Sequence, residues 1–154
     1  MTIDGSILGG TDRVKFTGQL PSNAAPVFLI TNSGVILQNM AIENSGKRGV
    51  FVTSYSNLFE NILFEKSNPA ITVQSGERNY ITQSSFDNNS SPIVLTNGGN
   101  NEDNANLGPP TFTSAVLNLD SQFWTLSGTT PSDVVRFELY EADDHLSAQG
   151  RVYL

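Results

Sequence analysis

Cysteine is absent from the 154 residues, so neither a disulfide nor a thiolate metal site can form. Histidine occurs once, at His145, beside Asp143 and Asp144 in a polar turn. That setting reads as a surface residue rather than a catalyst. Charge is scarce, at 15% of residues, and its balance is acidic, at −7. A surface of that sign repels phosphate backbones, so no nucleic acid partner is expected. No apolar run approaches the length of a membrane span, and no basic and apolar leader follows Met1, so no signal peptide is read. Because a strand is read directly after Met1, the chain reads as a fragment of something longer. What is present instead is Asn, Ser, Thr and Gly around short β-branched and aromatic runs. These are turn and cap formers, so the composition is that of strands and turns.

The strongest signal is a 22-residue repeat from Val27 to Thr96. Leu29, Phe51, Val73 and Leu95 fall in one column, and Ile36, Leu58 and Tyr80 in a second. Ile42, Phe64 and Phe86 form a third, and Asn39, Asn61 and Gln83 a fourth. Ile7, Val14 and Leu20 extend three columns backwards into an irregular first turn. Each repeat holds short strands separated by turns, the pattern of a parallel β-solenoid. Stacked coils place the apolar columns inside, and stacked Asn amides satisfy each other at the bend.

The run Ile36-x-x-Asn39-x-x-Ile42, Leu58-x-x-Asn61-x-x-Phe64, Tyr80-x-x-Gln83-x-x-Phe86 resembles the repeat of the pectate-lyase-like (pectin lyase-like) superfamily of right-handed parallel β-helices. The resemblance covers roughly residues 27–97 and implies an all-β fold of about four to five coils with a β-rich C-terminal cap. Coils and a long loop are assigned to residues 1–110, and further strands or a cap in the same domain to 111–154. The loop from Asn97 to Pro110 follows from its Asn, Gly and Pro content. Strands are expected at 112–119, 122–127, 134–142 and 150–154. Whether Leu117 and Leu139 continue the 22-residue column or begin a cap is left open by the sequence.

Three groups are candidate sites. Glu43, Glu65 and Asp87 are spaced by 22 and follow the third apolar column, so alternation points them outward in a stack. Like charges at that spacing need solvent, a cation, or one raised pKa. Such carboxylates suit Ca²⁺ or glycoside hydrolysis, while a solvated face relieved by Lys66 accounts for the same column. Glu102 and Asp103 in the long loop are further Ca²⁺ candidates, without EF-hand spacing. No other cofactor is implied. Lys47, Arg48, Lys66 and Arg78 read as turn bases, with no motif that carries over a lyase base. The third group is an outward apolar strip of Phe28, Ile30, Val50, Val52 and Val94, expected to be covered by the chain itself or by a second copy in a homo-oligomer. Trp124 and Tyr140 can stack on a sugar ring or pack in the C-terminal region.

The Ser-Gly-Thr-x-Pro turn and the Phe-Glu-Leu-Tyr strand resemble C-terminal parts of secreted bacterial β-helix surface proteins. The expected function is therefore a non-catalytic extracellular or cell-surface domain, structural or associated with polysaccharide or cell-surface glycan. A polysaccharide lyase or glycoside hydrolase acting on an acidic polysaccharide is the first alternative, and a phage fibre or adhesin module the second.

Overall fold

A computed structural model describes residues 1–7, 13–18, 25–43, 46–96, 111–119, 123–129, 140–142 and 150–153. Every regular element among them is a strand. The chain divides into two compact units, Met1–Asp103 with Glu138–Leu154, and Asn104–Phe137.

The first unit is a solenoid of two parallel sheets. One sheet stacks β3 (Phe28–Ile30), β5 (Val50–Val52), β7 (Ile71–Val73) and β10 (Ile93–Leu95). The other is built on β4 (Ile36–Glu43) and β6 (Leu58–Glu65). On one side of it lie β1 (Thr2–Asp4) and β2 (Val14–Thr17), both paired with β4; on the other lie β8 (Tyr80–Thr82) and β9 (Ser85–Asp87), both paired with β6. About three turns are complete, fewer than the four to five expected. The shortfall lies after β10, where the next strands among the described residues are antiparallel and add no coil.

The corners explain the repeat. Gly34, Ser56 and Arg78 have φ of 71°, 55° and 55°, and Asn39, Asn61 and Gln83 have φ of 55°, 53° and 51°. Lys66 and Asn88 repeat the same left-handed turn at 53° and 51°. One residue at positive φ redirects a strand without a loop, so a 22-residue coil closes. Non-glycine residues adopt this region only where surrounding bonds hold them. Buried polar side chains supply those bonds. Asn57 Oδ1 accepts the Val35 N–H (2.9 Å), and Asn79 Oδ1 accepts both the Asn57 N–H (3.2 Å) and Asn57 Nδ2 (2.8 Å). At the third corner Asn89 Oδ1 accepts the Ser67 N–H (2.9 Å), and its Nδ2 donates to the Phe64 carbonyl (3.0 Å).

The core lies between the sheets. Leu37 and Phe59, Met40 and Ile62, Ile42 and Phe64 stack in register and are fully buried. The Phe64 and Phe86 rings lie parallel, 5.3 Å apart, as in-register stacking demands. Phe16 stacks on Ile42 and meets Phe28 edge-on at 4.9 Å.

Two expected columns face the other way. The Ile42–Phe64–Phe86 column is interior, but Ile36 and Leu58 are half-buried and Tyr80 is exposed, while their neighbours Leu37 and Phe59 fill the core. In the first sheet, Val50 pairs with Ile71 and Val52 with Val73, a step of 21 residues in place of 22. That one-residue slip joins two different faces in the expected column: Leu29 and Phe51 point outward, Val73 inward. Both residues of each alternating pair are apolar, so hydrophobicity alone does not separate the faces. The first turn also has its own spacing. Val14 stacks on Met40 and Phe16 on Ile42, both 26 residues apart, so Ile7 and Val14 are not the extension of the 22-residue columns. Leu20 lies outside the described residues.

A ribbon of β13 (Tyr140–Ala142) and β14 (Gly150–Tyr153) is antiparallel, and β14 lies beside β9. The second unit contains a separate antiparallel ribbon, β11 (Thr111–Asn118) with β12 (Phe123–Thr129). Leu117 therefore belongs to a hairpin and not to a further coil. Residues 134–139, including Leu139, lie outside the described residues.

Gly76 gives a test of the corner geometry. Its φ is +90°, and a Cβ there would overlap the Ser54 carbonyl oxygen of the coil beneath. Gly34 has φ of +71° but open space around it. Gly34→Ala is expected to cost about 1–2 kcal/mol, the left-handed backbone term alone. Gly76→Ala is expected to cost clearly more by chemical denaturation, and an equal cost would contradict the close approach.

Candidate functional site

The acidic column forms as a ladder on the second sheet. Glu43 pairs with Glu65 and Glu65 with Asp87, directly after the inward Ile42, Phe64 and Phe86. Parallel strands set these carboxylates ~4.8 Å apart at the backbone. The counter-charge comes from lysine. Lys15 Nζ lies 2.5 Å from Glu43 Oε2, and Lys66 Nζ lies 2.6 Å from Glu65 Oε1 and 3.7 Å from Glu43 Oε1. Lys66 thus bridges two rungs, held there by its own left-handed corner. The hydrogen bond from Lys15 holds the Glu43 carboxyl below the usual range, against partial desolvation, with Lys15 and Lys66 charge adding to it. The hydrogen bond and charge of Glu65 raise Lys66.

This arrangement answers the repulsion problem with ammonium groups. A general acid needs a carboxyl raised toward neutrality, and Glu43 is moved the other way. Among the described residues, no group of three or more His, Asp or Glu side chains is placed to hold a metal ion. Glu102, Asp103 and His145 lie outside the described residues.

The Asn corner carries a second polar line. Arg13 Nη2 donates to Asn61 Oδ1 (2.7 Å), Asn61 Nδ2 to Asn39 Oδ1 (2.7 Å), and Asn39 Nδ2 to Asp4 Oδ1 (3.0 Å). The amides align from a guanidinium to a carboxylate. Asp4 also accepts from the Ser6 hydroxyl (2.7 Å), the Ser6 N–H (2.9 Å) and Gln38 Nε2 (2.7 Å). These bonds hold its carboxyl far below the usual range. The Asn39–Asn61 contact was legible as a 22-residue spacing. Asp4, Arg13 and Lys15 were not, because the first turn does not keep that spacing. The buried Asn57 and Asn79 were also missed, although their separation of 22 was in plain view.

The apolar strip needs correcting. Ile30, Val50 and Val52 are core residues, and Phe28 is half-buried against that core. Val94 pairs with Thr72, so it shares the opposite, outward column with Leu29 and Phe51. The reason is the one-residue slip at β7. Thr72, between Phe51 and Val94 in that column, is polar and buried, at 2% exposure. Arg48 stacks its guanidinium 4.7 Å from the centre of the Phe51 ring, a cation–π contact on that face.

The exterior of the second sheet carries a further pair of columns that the sequence reading placed inside or passed over. Ile36, Leu58 and Tyr80 make a strip that ends in an exposed aromatic ring. Beside it run Gln38, Glu60 and Thr82, with Asp4 ahead of them.

The depressed carboxyls predict the pH response. A carboxyl whose folded pKa is lowered stabilises the fold above its unfolded value of about 4, and that contribution is lost as pH falls through the lowered value. Lys15→Met removes the nearest partner of Glu43. In thermal melts between pH 7 and pH 3 the variant is expected to be less stable than the parent at pH 7 and to lose less on acidification. Parallel curves would contradict the role given to Lys15.

A family model described as a right-handed beta helix region matches residues 25–106, which is 82 of the 154 residues. No curated protein and no solved structure matches the chain. The matched span holds the coils from β3 through β10, with their in-register columns and left-handed corners. The chain belongs to the right-handed β-helix family.

Proposed function

We propose that the chain is a non-catalytic extracellular or cell-surface domain, structural in its coils and associated with polysaccharide or cell-surface glycan along the second sheet. The observation that carries the non-catalytic part is the bridging of Glu43 and Glu65 by Lys66, with Lys15 on Glu43. Glu43, held below the usual carboxyl range by these partners, is a poor donor of a proton. The glycan part rests on the exterior columns. Tyr80 is 62% exposed at the end of the Ile36–Leu58 strip, so its ring is available for stacking on a sugar face. Gln38, Glu60 and Thr82 offer hydrogen-bonding groups alongside it. The surface location is supported by the likeness of the C-terminal stretch to secreted bacterial β-helix surface proteins.

The test combines turnover and binding on one set of acidic and neutral polysaccharides. Ultraviolet absorbance should show no unsaturated product, and reducing ends should not accumulate. Affinity electrophoresis should show retardation on at least one polysaccharide, reduced several-fold by Tyr80→Ala. Turnover abolished by Glu43→Gln or Glu65→Gln would overturn the non-catalytic reading in favour of a lyase or hydrolase. Absence of retardation on every polysaccharide would remove the glycan part.

A further inference from the structure

The chain holds two Asn-x-Ser/Thr triplets, and they overlap: Asn88-Asn89-Ser90 and Asn89-Ser90-Ser91. Such a triplet is the acceptor signal for N-linked glycosylation where its Asn lies at the surface. Both begin directly after β9, at the corner that follows that strand. The fold treats the two asparagines differently. Asn89 is 5% exposed and both ends of its amide are engaged, Oδ1 with the Ser67 N–H (2.9 Å) and Nδ2 with the Phe64 carbonyl (3.0 Å). A sugar on that nitrogen would have to sit inside the stack and would break the bonds that hold the corner. Asn88 is exposed, at φ of 51°, and those bonds do not involve it. Its counterpart 22 residues earlier is Lys66, also exposed and at φ of 53°. The Lys66 side chain runs over the exterior to Glu43 and Glu65. The corner therefore sends its side chain away from the core, and it does not itself require Asn. Ser90, the hydroxyl residue of the first triplet, is exposed too, donating to Asn68 Oδ1 (2.6 Å).

We propose that Asn88 is an N-glycosylation acceptor of the exported chain and that Asn89 is not. The inference rests on the extracellular reading, because N-linked oligosaccharide is added to secreted chains. The co-substrate is an oligosaccharide carried on a polyprenyl diphosphate and supplied by a membrane-bound transferase. Asn88 Nδ2 forms a bond to the anomeric carbon as the bond from that carbon to the diphosphate oxygen breaks. The lipid diphosphate leaves with the electron pair, and the amide gives up one proton. The product keeps the Asn89 amide and both of its bonds, so the coil retains its corner.

Secretion of the full chain from cultured animal cells behind a cleavable leader tests it. The expected product carries one N-glycan, which peptide N-glycosidase removes with conversion of Asn88 to aspartate in the peptide map. Ser90→Ala destroys the first triplet and keeps the second, and is expected to abolish the glycan. Ser91→Ala destroys the second and keeps the first, and is expected to leave the glycan in place. Thermal melts after deglycosylation are expected to coincide for the parent and both variants, so that a lost glycan is not a lost fold. An unmodified parent, or a glycan kept by Ser90→Ala and lost by Ser91→Ala, would overturn the proposal. Because the leader is supplied, either result strikes the acceptor site alone; the location of the chain is read separately, by fractionation of the cells that make it.

Discussion

Asn57 exposes no surface, yet its side chain and backbone serve three successive coils. It accepts from Val35 in the coil before, donates to Asn79 in the coil after, and bonds Ser54 Oγ within its own turn (3.1 Å). Asn79 continues the line by donating to the Ser54 carbonyl (2.9 Å). A tight corner leaves backbone groups that no strand ladder satisfies, and these groups are buried where coils stack. An unmatched buried group costs about 1–3 kcal/mol. The Asn line removes that cost only if coils repeat in register, so the corner chemistry and the 22-residue spacing imply each other. The apolar columns follow from that registration, because a coil held over its neighbour places Ile42 over Phe16 and Phe64 over Ile42.

The same registration explains why the exterior acids are spaced as they are. Glu43, Glu65 and Asp87 stack because the coils stack, and the repulsion between Glu43 and Glu65 is met by Lys15 and Lys66. An acidic ladder in a repeat fold is thus a by-product of geometry until its charges are found unpaired. Departures from the repeat hold more information about partners. The exposed Tyr80 ring is such a departure, within the coils.

Much of the fold was legible in the residues, and the limits have physical causes. The Ile42, Glu43 and Asn39 columns were read correctly because a change of residue type marks each one: apolar inside, acid outside, amide at the bend. The Leu29 and Ile36 columns were placed on the wrong face because Leu29 and Ile36 each have apolar neighbours, and a strand apolar on both sides carries no alternation to read. The 21-residue step at Ile71 is invisible in a pattern that still offers Val73 at the 22-residue position. Lys15 and Asp4 were unreadable for a different reason. Their partners lie 28 and 35 residues away, at Glu43 and Asn39, and no repeat spacing points to them.

The dependence of the coil register on the buried Asn line can be measured by a double-mutant cycle on Asn57 and Asn79, using Asn57→Ala, Asn79→Ala and the pair in chemical denaturation. If the line works as a unit, each single change costs about 2 kcal/mol or more, and the pair costs less than their sum by at least ~1 kcal/mol. Small single effects that simply add would mean that the apolar columns register the coils without help from the corners, and would contradict the account.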